Sequence, residues 1–228
     1  MTKMRTVAAS LMLLVWCHPQ ALHGQTDLTD TDGSLREPAR RYRVSAEDSE
    51  VLIRVFRAGA LARLGHNHVI AANRVEGTVV VDGASARSSF VLRVPVEALE
   101  VDNPELRRRS GDDFAKDPSA ADIEGTRDNL LGARVLDATE YPIITVSGTT
   151  AGTTSVSAAN VRFEVKQNSA EKMVPIAALV TDQSITVSGE LSLSHEELGL
   201  KPFSALMGAI RVAELMEVSF RISAAREE

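Results

Sequence analysis

The sequence predicts an all-β fold, a closed antiparallel β-barrel of about eight strands with one short helix in a long excursion, and three observations predict it. From Tyr42 onward the chain breaks into short runs dense in Val, Ile, Thr and Phe, the residues that suit a pleated, half-buried surface. Within those runs apolar and polar residues alternate, the period of a strand with one wet face. Gly, Asn and Asp punctuate the runs where a chain must turn. That many antiparallel strands in an open sheet would leave two edges of unpaired backbone groups, and closure removes both.

Taken in order, the chain opens with Lys3 and Arg5, a largely apolar run from Val7 to Cys17 and then a polar stretch with small residues. This is the three-part layout of a secretory signal, so residues 1–24 are expected to be cleaved near Gly24 and the protein to be periplasmic or secreted. The apolar run is too short to cross a hydrocarbon core of about 30 Å as a helix, and no stable membrane span is expected after signal removal. Trp16 is bulky where a lipid-attachment signal before Cys17 wants a small residue. Cleavage removes Cys17, the single cysteine, and with it disulfides, thiol nucleophiles and thiolate metal sites. Loss of Lys3 and Arg5 takes the formal charge from −6 to −8. With 31 acidic against 25 basic residues, the phosphate-neutralising surface that nucleic-acid binding needs is missing. Residues 25–41, rich in Thr, Asp, Gly and Arg, read as a flexible leader, and residues 42–228 as one domain.

The expected strands run over 42–44, 51–58, 66–71, 75–82, 88–95, 143–148, 159–166, 173–180, 185–195 and 211–224, with tight turns at Asp82-Gly83 and Ala72-Asn73. Their alternation separates two faces. Val75, Val79 and Val81 oppose Glu76, Thr78 and Asp82; Phe90, Leu92 and Val94 oppose Ser89 and Arg93; Val161, Phe163 and Val165 oppose Arg162, Glu164 and Lys166. Met216, Val218, Phe220 and Ile222 likewise oppose Glu217, Ser219 and Arg221. The candidate interior lining is therefore Val55, Val79, Phe90, Leu92, Val94, Phe163, Leu191, Leu193, Val218 and Phe220. Aromatic residues make up 4% of the chain, so bulky plugs are scarce, and an apolar guest would gain roughly 0.8 kcal/mol per buried methylene. A barrel simply packed with its own side chains is the competing outcome, because pattern reveals faces and not volumes.

Residues 101–141 interrupt the rhythm with a charged section that includes Arg107, Arg108 and Arg109, and with a short helix expected around 127–136. The three arginines read as a solvated loop, the usual setting of a charge run, with a phosphate site as the other reading. Three histidines remain after cleavage. His66 and His68 share a face with Ile70, and His195 shares one with Ile185, Val187, Leu191 and Leu193. They are expected to bond neighbouring backbone and carboxylates, to grip the polar head of a guest, or to hold a metal as a three-imidazole set. Glu196 and Glu197 face different ways, and no phosphate loop, nucleophile elbow or zinc-protease motif is present, so no enzyme activity is expected.

The order and spacing of several short stretches resemble the YceI-like family: Tyr42-Arg43-Val44, Val75-Glu76-Gly77-Thr78-Val79 before Asp82, Asn129-Leu130-Leu131-Gly132 leading through Leu136-Asp137 to Tyr141-Pro142-Ile143-Ile144, and the closing run from Val212 to Ile222. The stretches LGHNHVI and LGLKPFSALMGAIRV look like family variants, and the likeness covers nearly the whole chain after the leader. The resemblance implies a lipocalin-like barrel, usually exported, whose elongated hydrophobic pore holds a polyisoprenoid lipid such as an isoprenoid quinone. Asn129-Leu130 stands where many members carry His-Leu, and Ser194-His195-Glu196 replaces an Arg-containing strand before a Gly. Three functions are thus expected to compete: an apolar lipid carrier, a His-based metal or cofactor binder through His66, His68 and His195, and a packed scaffold with residues 101–122 as its contact surface.

Overall fold

Hydrogen-bond register, followed from strand to strand, traces a ring. The computed structural model describes residues 39–228 apart from 84, 86 and 153–155, so the signal reading and residues 25–38 of the leader lie outside the described residues. Arg40 and Arg41, expected to end the leader, instead open strand β1 (Arg40–Val44), because their backbone already pairs with a neighbouring strand. A loop at residues 45–49, tied by Ser49 Oγ to the Ser45 carbonyl at 2.6 Å, is pinched out before β2 (Glu50–Ala58). β3 (His68–Ala72) and β4 (Glu76–Asp82) then run back along the same edge, with Leu52 opposite Ala71 and Arg43 opposite Thr78. The turn expected at Ala72-Asn73 is therefore a kink inside one continuous run, since both halves pair antiparallel to β1 and β2.

The same construction recurs. β5 (Arg87–Pro95) and β6 (Leu99–Val101) are joined by a 3-10 turn at Val96–Ala98 and pair with β4 and β3. β7 (Ile143–Ala151), β8 (Ala158–Val165) and β9 (Asn168–Pro175) follow as a meander, and β9 runs on through Ile176 into β10 (Ala177–Val180). β10 pairs with β11 (Ser184–Ser194), and β11 lies along β13 (Ile210–Arg226), with β12 (Ser204–Ala205) a short addition to β13. The other edge of β13 meets β1 and β2, which closes the ring. The strand segments thus form eight antiparallel staves in sequence order: β1–β2, β3–β4, β5–β6, β7, β8, β9–β10, β11 and β13. Closure is backbone-bonded at β10–β11, whereas β9 faces β11 through side chains: Lys172 Nζ donates to the Ser192 carbonyl at 3.1 Å and pairs with Glu197 at 3.0 Å.

Inward positions carry the core, including Val75, Val81, Val94, Val165, Ile185, Met216, Val218 and Ile222, all buried. Tyr42 is fully buried, and its hydroxyl donates to the Thr181 carbonyl at 3.0 Å, which removes the cost of an unpaired polar group.

The excursion holds two helices where one was expected. α1 (Pro104–Arg109) starts from Asn103, whose side chain accepts from the Glu105 and Leu106 N–H groups, with Pro104 in its first turn. α2 (Ala120–Leu131) starts from a reciprocal cap: Ser119 Oγ accepts from the Asp122 N–H at 3.2 Å while Asp122 accepts from the Ser119 N–H at 3.0 Å. That cap places the helix ahead of the expected 127–136, and it ends at Gly132. The solvated reading of the three arginines holds for Arg108 and Arg109, which pair with Glu105 and Glu50 on the surface. It fails for Arg107, which is 2% exposed. Phe114, also buried, packs with Leu52, Val69 and Ala71, so the excursion covers the outer face of β2 and β3.

Candidate functional site: an apolar bore with one polar end

The inward faces of the staves enclose two chambers. The larger, about 550 Å³, lies under α2; the smaller, about 180 Å³, lies towards the opposite end and is lined by Val75, Val79, Val81, Ile185, Ile222 and other apolar side chains. Val51, Val94, Val146, Phe163 and Val218 line both, so they form the neck between them. The room exists because the lining is small and because two aromatic rings lie against the wall. Phe90 sits opposite Gly148 and Phe220 opposite Gly189 across neighbouring strands. A Cβ added at Gly148 would lie 2.7 Å from the Phe90 ring, and one at Gly189 would lie 2.8 Å from the Phe220 ring. Glycine there lets each ring fold onto the partner backbone instead of across the bore.

Every candidate lining residue reaches this space. Val55, His66, His68, Leu193 and His195 line the larger chamber, Val79, Phe90, Leu92, Leu191 and Phe220 the smaller, and Val94, Phe163 and Val218 both. The period-2 argument accounts for the strand residues. It had no access to α2, which lays Ala121, Asp122, Gly125, Thr126, Asn129 and Leu130 over the larger chamber on one helical face. Leu64 and Phe203, both more than two-fifths exposed, mark where this chamber meets solvent.

The polar groups gather at that end. His68 Nδ1 lies 2.6 Å from Asp102 Oδ2, and Asp102 Oδ1 accepts from the Val69 N–H at 3.0 Å and from Arg107 Nη1 at 2.5 Å. The two terminal nitrogens of Arg107 also donate to the carbonyls of Asn67, Phe114 and Lys116 at 2.7, 2.9 and 2.7 Å, while its buried Nε has no hydrogen-bond partner among the described residues. Burial pushes the Asp102 carboxyl up, but the hydrogen bonds from His68, Val69 and Arg107 outweigh it and hold the group below its ordinary value. Burial and the charge of Lys116 hold the His66 imidazole below its ordinary range, against the pull of Asp122. Its ring meets that of His68 edge-on, with centroids 6.3 Å apart. His195, 6% exposed, has Nδ1 3.0 Å from the Glu214 carbonyl.

His68 thus bonds a carboxylate and His195 a backbone carbonyl. The three-imidazole metal set does not assemble: all three histidines line one chamber, yet among the described residues no three His, Cys, Asp or Glu side chains gather as a metal-holding group. Asp102 and Arg107 escaped the sequence reading. The Asn103-Pro104 helix-start signal could have placed Asp102 at a strand end, but nothing in three consecutive arginines marks the first as the buried one.

No family model and no curated protein matches the chain. Solved structures do. BcnA of Burkholderia cenocepacia is similar with a TM-score of 0.55 and 17% identity, over 79% of this chain and 98% of that one. A polyisoprenoid binding domain from Saccharophagus degradans, implicated in plant cell wall breakdown, is similar with a TM-score of 0.53 and 8% identity, over 82% of this chain and 98% of that one. The Campylobacter jejuni YCEI protein matches more weakly, with a TM-score of 0.48 and 9% identity over 70% of this chain and 85% of that one. At these identities the likeness is one of fold: this chain has the antiparallel barrel fold of BcnA and of the polyisoprenoid binding domain.

Proposed function

We propose that this protein is an exported carrier or store for a single polyisoprenoid lipid, quinone-like in having a long apolar tail and a compact polar head, and that the guest leaves the barrel chemically unchanged. One observation carries the reading: a bore that passes from a chamber of about 550 Å³ to one of about 180 Å³, the inner one lined by apolar side chains apart from Ser88 and Thr150, with the histidines and other polar groups in the larger chamber under α2. A long chain threaded through the neck would exchange water for Val, Leu and Phe side chains along its length, each methylene contributing roughly 0.8 kcal/mol. The head would rest among His66, His68, Thr126 and Asn129. The fold shared with a polyisoprenoid binding domain supports the same reading, as does the signal-like layout of residues 1–24 for export.

Organic extraction of the purified protein followed by mass spectrometry, with titration of the stripped protein by an isoprenoid quinone and an isoprenoid alcohol, tests it. A stoichiometric apolar lipid in the extract or saturable uptake is the expected result. An extract free of lipid together with no uptake of either probe rejects the carrier.

A further inference from the structure

The Asp102–His68 pair lies at the polar end of the bore, with the His68 ring lining the larger chamber. Asp102 is 1% exposed and ionised, so both of its oxygens can only accept. Its charge is compensated by Arg107 at 2.5 Å, itself buried, so the carboxylate needs no second cation to be stable where it is. The contact at 2.6 Å to His68 therefore requires a proton on Nδ1, donated to Oδ2. A neutral imidazole protonated at Nδ1 carries a bare lone pair at Nε2.

That lone pair has no hydrogen-bond partner in the protein among the described residues, while the ring lines the larger chamber and its side chain is 17% exposed. The apolar lining offers that acceptor nothing to bond, and a ligand donor seated in the chamber gives it a partner. We infer that His68 is the head-group anchor of the bore and that its Nε2 accepts a hydrogen bond from a hydroxyl, so the guest is an isoprenoid alcohol or phenol in preference to a carbonyl or ether on the same chain. This rests on the carrier reading above and narrows it to hydroxyl-bearing lipids. An ether or quinone oxygen brought to Nε2 sets lone pair against lone pair. A site built to bond a polar group discriminates strongly against the analogue that lacks it, because the site's own atom is then left unpaired.

The test is a comparison of geranylgeraniol with its methyl ether by titration calorimetry at about pH 8, above the ordinary imidazole range. The alcohol is expected to bind about tenfold or more tightly, and His68→Phe, which keeps a ring of similar bulk, is expected to bring the ratio to about one. Equal affinities in the unaltered protein, or a ratio that survives in His68→Phe, overturn the anchor and leave the carrier standing. Binding of neither probe overturns the carrier and the anchor with it. Histidine ¹⁵N spectra of the unaltered protein give a reading that needs no variant: Nδ1 protonated and Nε2 bare is the expected signature, and a proton on Nε2 overturns the assignment.

Discussion

Val218→Trp should uncouple the two chambers. Val218 stands on β13, is 9% exposed and lines both spaces at the neck, so an indole there fills the passage instead of displacing backbone. The inner chamber of about 180 Å³ has room for about six methylene-sized groups, taking the ~30 Å³ share of a liquid water as the measure. At roughly 0.8 kcal/mol each, denying that space to a tail removes about 5 kcal/mol, from which the ordering cost of the same segment must be subtracted. A net loss of about 2–4 kcal/mol corresponds to a roughly 30- to 1,000-fold weaker Kd. Titration calorimetry with geranylgeraniol, against the shorter farnesol that the larger chamber can hold, measures it: the long guest should lose most of its affinity and the short one little. Val91→Trp, on the outward face of β5 and 45% exposed, is the control. The only tryptophan in the sequence is Trp16, so in the described barrel the introduced indole reports its own environment, and blue-shifted emission shows that it is inside. Unchanged affinity for the long guest with a buried indole refutes the idea of a tail threaded through the neck.

Other outcomes follow from the same structure. Arg107→Met leaves Asp102 buried without its cation, so it should cost about 3–5 kcal/mol and lower Tm by roughly 6–20 °C; a calorimetric loss under about 1 kcal/mol would show that the excursion does not depend on this pair. Because the Asp102 carboxyl lies below its ordinary value of 3.8, its contribution to stability is fully present above that value and is lost as pH falls below it. Asp102→Asn should therefore flatten the acid limb of the stability curve below about pH 3.8, and denaturant titrations giving parallel limbs for both proteins would contradict this. Gly148→Ala puts a Cβ 2.3 Å from the Asn160 carbonyl oxygen and 2.7 Å from the Phe90 ring. It should destabilise by about 1–3 kcal/mol and weaken the long guest by turning that ring into the inner chamber; a variant of normal stability and affinity would remove the role given to this glycine.

Much of the barrel was legible because strand faces are a local property. Side chains alternate with a period of two, so Phe90, Leu92 and Val94, or Val218 and Phe220, declare a common face without reference to any partner. The kinks were less legible. Asn73 looks like a turn residue and sits inside a stave, because the pairing of Arg43 with Thr78 and of Leu52 with Ala71 carries the chain straight on. Helix α2 starts ahead of the expected 127 because its first turn is set by the reciprocal bonds of Ser119 and Asp122.

The residue pattern alone sufficed for an all-β chain with one apolar face per strand, few bulky aromatics to fill an interior, and histidines at or beside the ends of two strands. Tertiary structure alone decided that the lining leaves open space, that β13 closes on β1 and β2, and that Asp102 meets His68 across 34 positions with Arg107 behind it. The reason is that period and composition are written along the chain, whereas cavity volume and contacts between distant residues depend on register and on how an excursion folds back over the wall.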